Sequence, residues 1–506
     1  MSSKVFSAAV VGLDAEIIEV EAETGGGELG SFAIVGLPDL AVSESRERVR
    51  SAVRNSGVDF PRLKVTVNLA PADLRKQGPA YDLPIAVSVM MVSGKVRLKP
   101  ELKRSLFIGE LALSGTVRPV TGILATALAA QRHGFMYIYV PALNAAEATL
   151  VPGIEVIPVK HLGELIGHLN GSAKIVVAPL EPIEFKEPEG LTDFSHIRGQ
   201  ENAKRAFEIA AAGGHNLLMT GPPGSGKTLL ARSMPSILPQ LTTDEALEIT
   251  KIYSVSGRLP SGSALIRQRP FRSPHHSASG VALVGGGTWP RPGEISLAHR
   301  GVLFLDEFGE FSRPLLENLR QPLEDGAVSI SRAAGNLIFP AKFILIAAMN
   351  PCPCGYLGDS ERSCACSAGQ IIGYRKRISG PILDRIDLHV EVPRLAFEKL
   401  ATEVQAEASL EIKKRVESAR QIQRKRLLDI NILTNAEMPS SIVREHCRLD
   451  AESTALMQKA VNRLNLSARA YFRVLKLART IADLAGNECL RAEHVAEALQ
   501  YRPKLE

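Results

Sequence analysis

The chain has 506 residues, 45% of them hydrophobic and 23% charged, with 60 Lys and Arg against 54 Asp and Glu for a formal net charge of +6. This is an ordinary globular composition, which excludes wholesale disorder, and the length suits about three domains. No apolar run reaches the roughly 18 residues of a membrane span, and the opening MSSKVFSAAVVGL lacks the charged flank and long apolar core of a signal peptide. A cytoplasmic protein with no membrane partner is therefore expected; the mild positive charge permits nucleic acid as a partner without demanding it.

Residues 1–170 read as one α/β block. Alternation at Glu16–Glu21 and Leu63–Asn68 predicts strands. Ser43–Asn55 reads as a helix with Ser43 as a possible cap, and Gly122–His133 as an Ala-rich helix. Ile85–Val92 is apolar throughout, so periodicity cannot choose between helix and strand. Two stretches, Arg75–Val87 (RKQGPAYDLPIAV) and Gly109–Ala130 (GELALSGTVRPVTGILATALAA), resemble the proteolytic domain of the Lon family, of the ribosomal protein S5 domain 2-like fold. That resemblance implies a serine and a lysine where this chain has Ala80 and Leu124. Neither can act as nucleophile or base, so no peptidase activity is expected. Residues 171–194, with prolines at 179, 182 and 188, read as a linker.

Asn216–Thr220 (NLLMT) reads as a short apolar strand running into Gly221–Thr228 (GPPGSGKT), followed by a helix beginning LLARSM. This is the GxxxxGK[ST] phosphate loop in its strand–loop–helix setting. Gly221, Pro222, Pro223, Gly224, Ser225 and Gly226 would wrap the phosphates of ATP with inward N–H groups, and the helix start adds a favourable dipole end. Lys227 is expected at the β and γ phosphates and the Thr228 hydroxyl on Mg2+. Gly301–Glu307 (GVLFLDE) is an apolar strand ending in two carboxylates. Asp306 would join the Mg2+ shell and Glu307 would orient the attacking water. A third strand, Lys342–Asn350, ends in a polar group that either senses the γ phosphate or merely opens the turn at Pro351. In Ser379–Val392, Arg385 stands between Asp384 and Asp387. It either offsets transition-state charge on a neighbouring subunit's nucleotide, which requires an oligomer, or forms a surface ion pair with one of those aspartates.

Between the phosphate loop and the strand ending in Asp306 and Glu307, Arg258–Arg300 holds six arginines, no lysine and one acidic residue, Glu294, with His275, His276 and Trp289. Such a stretch can track a sugar-phosphate backbone, with Arg269 and Arg272 as contacts, or face solvent or a subunit interface. Glu324–Phe343 reads as a β-hairpin with Arg332 near its tip, a DNA contact or a solvated arginine. Cys352, Cys354, Cys364 and Cys366 form two CxC pairs that can hold a structural Zn2+; disulfides, free thiols and an iron–sulfur cluster are the other readings. Cys447 and Cys489 read as ordinary core residues. Helices are expected at Ser409–Leu428, Ser440–Arg448, Ala451–Arg463, Ser467–Leu484 and Arg491–Tyr501, the first strongly basic and meeting either DNA or water.

Residues 195–500 resemble an AAA+ ATPase of the magnesium-chelatase-like group, related to MCM helicases, and the whole chain resembles the YifB/ComM family. The resemblance implies an inactive Lon-like domain (1–170), the linker, an ATPase core (195–394) and a C-terminal helical lid (395–506). It places a second arginine of the nucleotide site on Arg469, within Leu466–Leu484, in preference to Arg473 or Arg479. It also directs the hairpin into the pore of a hexameric ring. Implied partners are copies of the chain, single-stranded or branched DNA and recombination proteins. The implied work is branch migration during recombination or natural transformation. A magnesium-chelatase-type motor acting on a protein partner is the alternative; an ATP-dependent protease and an ATP-binding scaffold are two more distant ones.

Overall fold

The computed structural model describes the chain except residues 1, 27, 98, 181–189, 261–262, 288, 333–334, 360, 395–405, 431 and 504–506. The middle of the expected linker and the start of the expected lid thus lie outside the described residues. The chain divides into two compact units, one of residues 1–184 with 243–266 and the other of residues 185–242 with 267–506.

The first unit is built on seven strands, β1 (Ser2–Val11), β2 (Asp14–Gly25), β3 (Phe32–Val35), β4 (Lys64–Ala70), β5 (Ser105–Phe107), β8 (Tyr137–Pro141) and β9 (Glu155–Val159), with a small hairpin of β6 (Glu110–Leu111) and β7 (Val117–Arg118). The sheet order is β3-β4-β2-β1-β5-β8-β9. The β1–β2 and β2–β4 pairs are antiparallel, while β3–β4, β1–β5, β5–β8 and β8–β9 are parallel. The first helix, Leu40–Asn55, is capped by Asp39 rather than Ser43, because the Asp39 carboxylate accepts the Val42 N–H at 2.8 Å from extended backbone. Ser43 lies inside the first turn and donates to the Asp39 carbonyl. The ambiguous apolar run is a helix, Asp82–Val92, in which only Met91 escapes burial; apolar on every face, it carries no amphipathic period.

Ala80 and Leu124, the positions where the Lon resemblance expects the serine and the lysine, fall in one apolar cluster. Leu124 is fully buried there. The helix Thr243–Ser256 belongs to this unit although it lies inside the expected 195–394 core. Its Leu247 and Val255 pack on the same cluster, Lys251 reaches Asp14 at 2.7 Å, and Ser254 donates to the buried carboxylate of Glu147. That carboxylate also accepts the Leu124 N–H at 2.8 Å, and burial raises its pKa. The apolar face of this helix finds its partners in the first unit.

The second unit carries a five-stranded parallel sheet of β10 (Leu217–Thr220), β11 (Phe271–Arg272), β14 (Val302–Leu305), β17 (Ile344–Met349) and β18 (Leu388–Glu391) in the order β11-β14-β17-β10-β18. β12 (Gly285–Gly286) pairs β13 (Arg291–Pro292), and β15 (Ala327–Arg332) pairs β16 (Gly335–Pro340) as a separate ribbon. β14 and β17 are buried along their whole length, which explains their uninterrupted apolar runs. Helices Ser409–Leu427, Ser440–His446, Ala451–Leu464, Ala468–Leu484 and Ala492–Gln500 follow. Val416, Ala419, Ala478 and Val495 share one core with Leu217, Leu230 and Ile346, so these helices pack on the sheet's own core. Much of the basic face of Ser409–Leu427 is spoken for: Arg415 bridges Glu208 and Glu407, and Arg420 donates to the Ala211 carbonyl. Cys447 is buried as expected, but Cys489 is exposed, since it falls in the turn between two helices.

Candidate nucleotide site and its cysteine loop

A parallel sheet presents its ligands at the carboxyl ends of its strands. Three of the expected groups follow directly from those ends. Lys227 lies beyond β10, Asp306 beyond β14 and Asn350 beyond β17. Gly224 and Gly226 take φ of 77° and 90°, a turn that side chains resist, and Gly226 hands the chain to the helix Lys227–Ile237. The Lys227 ammonium donates to the carbonyls of Gly221 and Pro222, each at 2.8 Å, and to Asn350 Oδ1 at 3.4 Å. Burial lowers its pKa, with Asp306 opposing the shift. Pro223 packs on the cysteine loop described below, and the Ser225 hydroxyl is buried with no hydrogen-bond partner.

Thr228 Oγ1 donates to Asp306 Oδ2 at 2.8 Å. Two adjacent oxygen ligands on a phosphate loop are the hard donor set that Mg2+ takes, so these residues fit the ion. Glu307 holds φ 50°, ψ 45°, a left-handed conformation uncommon for a non-glycine residue, and its N–H donates to Asp306 Oδ1 at 2.9 Å. The strained turn directs the two successive carboxylates differently. His276 Nδ1 lies 3.0 Å from Glu307 Oε2, and the His276 ring meets Phe311 edge-on. No local pattern announced this pairing, since His276 and Glu307 lie far apart in the chain.

Arg385 is 7% exposed. Its guanidinium donates to the Pro381 carbonyl at 2.6 Å and to Glu324, instead of to either flanking aspartate. Arg469 donates to the other oxygen of the same Glu324 carboxylate. The two arginines assigned separately to the nucleotide site therefore meet on one acid, whose pKa is lowered chiefly by its hydrogen bond from Arg385. Glu324 had no local signal, because its partners lie 61 and 145 positions away. Arg473 is taken by Asp387 at 2.7 Å, and Arg479 is buried against Asp483 and the carbonyl of Glu488.

The arginine-rich stretch is folded onto its own chain. Arg269 donates to the carbonyls of Pro239 and Arg300, each at 2.7 Å, and Arg272 makes two bonds to Glu294 at 2.6 and 2.8 Å. Carbonyl and carboxylate acceptors within the fold thus hold both guanidinium groups. Arg332 ends β15 opposite Gly335. Its side chain lies outside the described residues.

The four cysteines come together. All four Sγ atoms lie within 4.8 Å of one another, with Cys352 to Cys354 at 3.4 Å and Cys364 at 3.6 Å from both. The backbone N–H groups of Tyr356 and Ala365 lower the Cys354 thiol to about 6, favouring the thiolate. Soft thiolates in this number suit zinc. Among the described residues no helix is long and apolar enough to cross a membrane.

Family models agree with the geometry. Residues 193–400 match "Magnesium chelatase, subunit ChlI", residues 18–144 match "Subunit ChlI of Mg-chelatase" and residues 406–502 match the C-terminal model of the same subunit. The competence protein ComM of Haemophilus influenzae is 45% identical over 505 residues, covering 98% of this chain and 97% of that protein. YifB of Escherichia coli is 43% identical over 502 residues, covering 99% and 97%. A Lon protease of Azospirillum brasilense is 26% identical over 189 residues, 33% of this chain and 22% of that one. With a phosphate loop, a paired threonine and aspartate for Mg2+ and full-length relatives of this kind, the chain belongs to the ComM/YifB family of magnesium-chelatase-like, ATP-hydrolysing AAA+ proteins.

Proposed function

We propose that the chain forms a hexameric ring in the cytoplasm and uses ATP hydrolysis to drive branch migration of DNA in homologous recombination or natural transformation. Lys227 and the loop Gly221–Gly226 hold the phosphates, Thr228 and Asp306 hold Mg2+, Glu307 orients water and Asn350 senses the γ phosphate. Arg385 and Arg469 complete a neighbour's site. The observation that carries the DNA reading is the β15–β16 ribbon, which stands apart from the main sheet and sets Arg332 opposite Gly335. It follows directly on the helix that bears Glu324, so the proposed polymer contact and the acid that holds both arginines stand on consecutive elements of the chain. The Haemophilus relative is named a competence protein, which accords with a role in DNA uptake. Residues 1–170 act as a Lon-like domain without catalytic Ser and Lys, and recombination proteins are the expected partners. The four cysteines hold a structural Zn2+.

The test is ATP hydrolysis with no DNA, single-stranded DNA, duplex and a four-way junction, with Glu307→Gln as the turnover-dead control. Stimulation strongest on branched DNA is expected. Equal rates on all four would overturn the DNA reading and favour a magnesium-chelatase-type motor acting on a protein partner, the reading that the three chelatase family matches support.

A further inference from the structure

The cysteine loop is joined to the nucleotide site at both of its ends and in its middle. It leaves β17 through Asn350 and Pro351, and Cys352 is only two residues beyond the group that accepts a bond from Lys227. Between Cys354 and Tyr356, Gly355 lies directly against the phosphate loop. Its φ is +86°, and a Cβ there would stand 2.6 Å from Pro223 Cδ and 2.8 Å from Pro223 Cγ. No side chain fits that approach, so the loop backbone itself forms the wall behind Pro223.

After Cys366 the chain turns at once into the helix Ala368–Arg375, capped by a reciprocal Ser367–Gln370 pair. Tyr374 of that helix is buried, hydrogen-bonds the Asn350 backbone and lies so close to Gly309 that a Cβ there would stand 3.0 Å from its ring. Gly309 is two residues past Glu307. The loop thus starts at the sensor strand, touches the phosphate loop and returns beneath the acidic turn.

We infer that a metal ion on Cys352, Cys354, Cys364 and Cys366 is the clasp of this loop, and that its presence sets nucleotide affinity by fixing Gly355 against Pro223. A tetrahedral zinc tetrathiolate has Zn–S bonds of about 2.3 Å and therefore S···S separations of about 3.8 Å. The separations of 3.4 and 3.6 Å, all four sulfurs within 4.8 Å, already approach that geometry. The Cys354 N–H donates to Cys366 Sγ and the Cys366 N–H to Cys364 Sγ, each at 3.4 Å, the N–H···S pattern that orients thiolates around a metal. Among the described residues of the loop, little apolar side-chain burial other than Cys352 holds it in place, so closure by the ion replaces a core. Loss of the ion frees the loop's middle while its two ends remain on β17 and the Tyr374 helix, and the wall behind Pro223 goes with it.

This inference rests on the zinc and ATP-site readings above. Its test uses the full chain, purified anaerobically, with zinc counted per chain and a fluorescent ATP analogue titrated before chelation, after chelation and after zinc is returned. One zinc per chain is expected, with a loss of nucleotide affinity of about tenfold on chelation and recovery on re-addition. Cobalt substitution should give the charge-transfer and d–d bands of a tetrahedral tetrathiolate. Gly355→Ala separates the metal site from its coupling to the nucleotide. It leaves all four thiols and should keep the cobalt spectrum, yet it should weaken the analogue by a similar factor through the clash with Pro223. Less than about half a zinc per chain after loading would overturn the metal site. Stoichiometric zinc with affinity unchanged within about twofold on chelation would overturn the coupling and leave the site standing. Failure of the zinc-loaded chain to bind the analogue at all would instead overturn the ATP-site reading, and with it this one.

Discussion

Thr228 and Asp306 lie 78 positions apart in the chain and 2.8 Å apart in space, hydroxyl to carboxylate. That pair is the point at which the two motifs of the nucleotide site become one. Asp306→Asn removes the charge and keeps the shape. The expected result is a loss of Mg2+-dependent hydrolysis of about a hundredfold or more, with the fold unchanged by circular dichroism. Hydrolysis with normal Mg2+ dependence in this variant would remove Asp306 from the metal shell.

Glu307 and His276 call for two different results. Glu307→Gln should retain ATP and lower turnover by about a hundredfold or more, because the amide cannot take the water's proton. His276 touches Glu307, so His276→Ala should act through that carboxylate and lower kcat less, about tenfold, with KM for ATP unchanged. A rise in KM without loss of kcat would reassign His276 to ground-state nucleotide binding. Steady-state ATPase kinetics decide both.

Glu324 holds Arg385 and Arg469 at once. Glu324→Gln leaves both guanidinium groups without their shared charge and should lower kcat by about tenfold while the nucleotide Kd moves less than twofold. Arg385→Ala subunits mixed with Lys227→Ala subunits should regain part of the activity that each lacks alone, since each supplies what its neighbour needs. Absence of such recovery in oligomers would place Arg385 in its own subunit's fold and nothing more.

Arg332→Ala should reduce DNA stimulation of hydrolysis several-fold and leave the DNA-free rate intact, because the hairpin carries none of the nucleotide ligands. It should also flatten the salt dependence of DNA binding by about one phosphate contact. Equal stimulation in variant and parent would remove the hairpin from the DNA path.

Asp387 is a buried carboxylate between Arg473 and His215. Burial pushes its pKa up, but Arg473 and then His215 outweigh it and hold the group well below the usual carboxylate range. A depressed carboxylate stabilises the fold above its unfolded pKa and loses that contribution as the pH falls through the folded value. Asp387→Asn should therefore cost about 3–5 kcal/mol at pH 7 by leaving Arg473 unpaired, and the difference from the parent should shrink below about pH 4. Denaturant midpoints across that range check the sign.

Several features were legible in the chain alone because their geometry is local. A strand, six loop residues, a lysine and a threonine fold into a phosphate loop from their own order, and the helix Ala468–Leu484 begins at its Ser467 cap as its pattern predicts. The paired CxC segments bring four sulfurs together across a short loop, and the alternation around Arg332 closes into a hairpin by its own register. Ala80 and Leu124 likewise carry neither a nucleophile nor a base, which their residue types alone tell without coordinates.

Only the tertiary structure decided which long-range partners those groups meet. Nothing near Glu324 in sequence announces two arginines 61 and 145 positions away. Arg269 and Arg272 look free in a charge count and are satisfied in the fold by carbonyls and by Glu294. The helix Thr243–Ser256 lies between the two nucleotide motifs in sequence, yet its apolar face packs in the first unit. Periodicity records which face of an element is apolar and spacing records which ligands can share a loop. Desolvation requires each buried charge to find an acceptor, but that requirement is met by whichever side chain the packing brings near, and no local pattern encodes the choice.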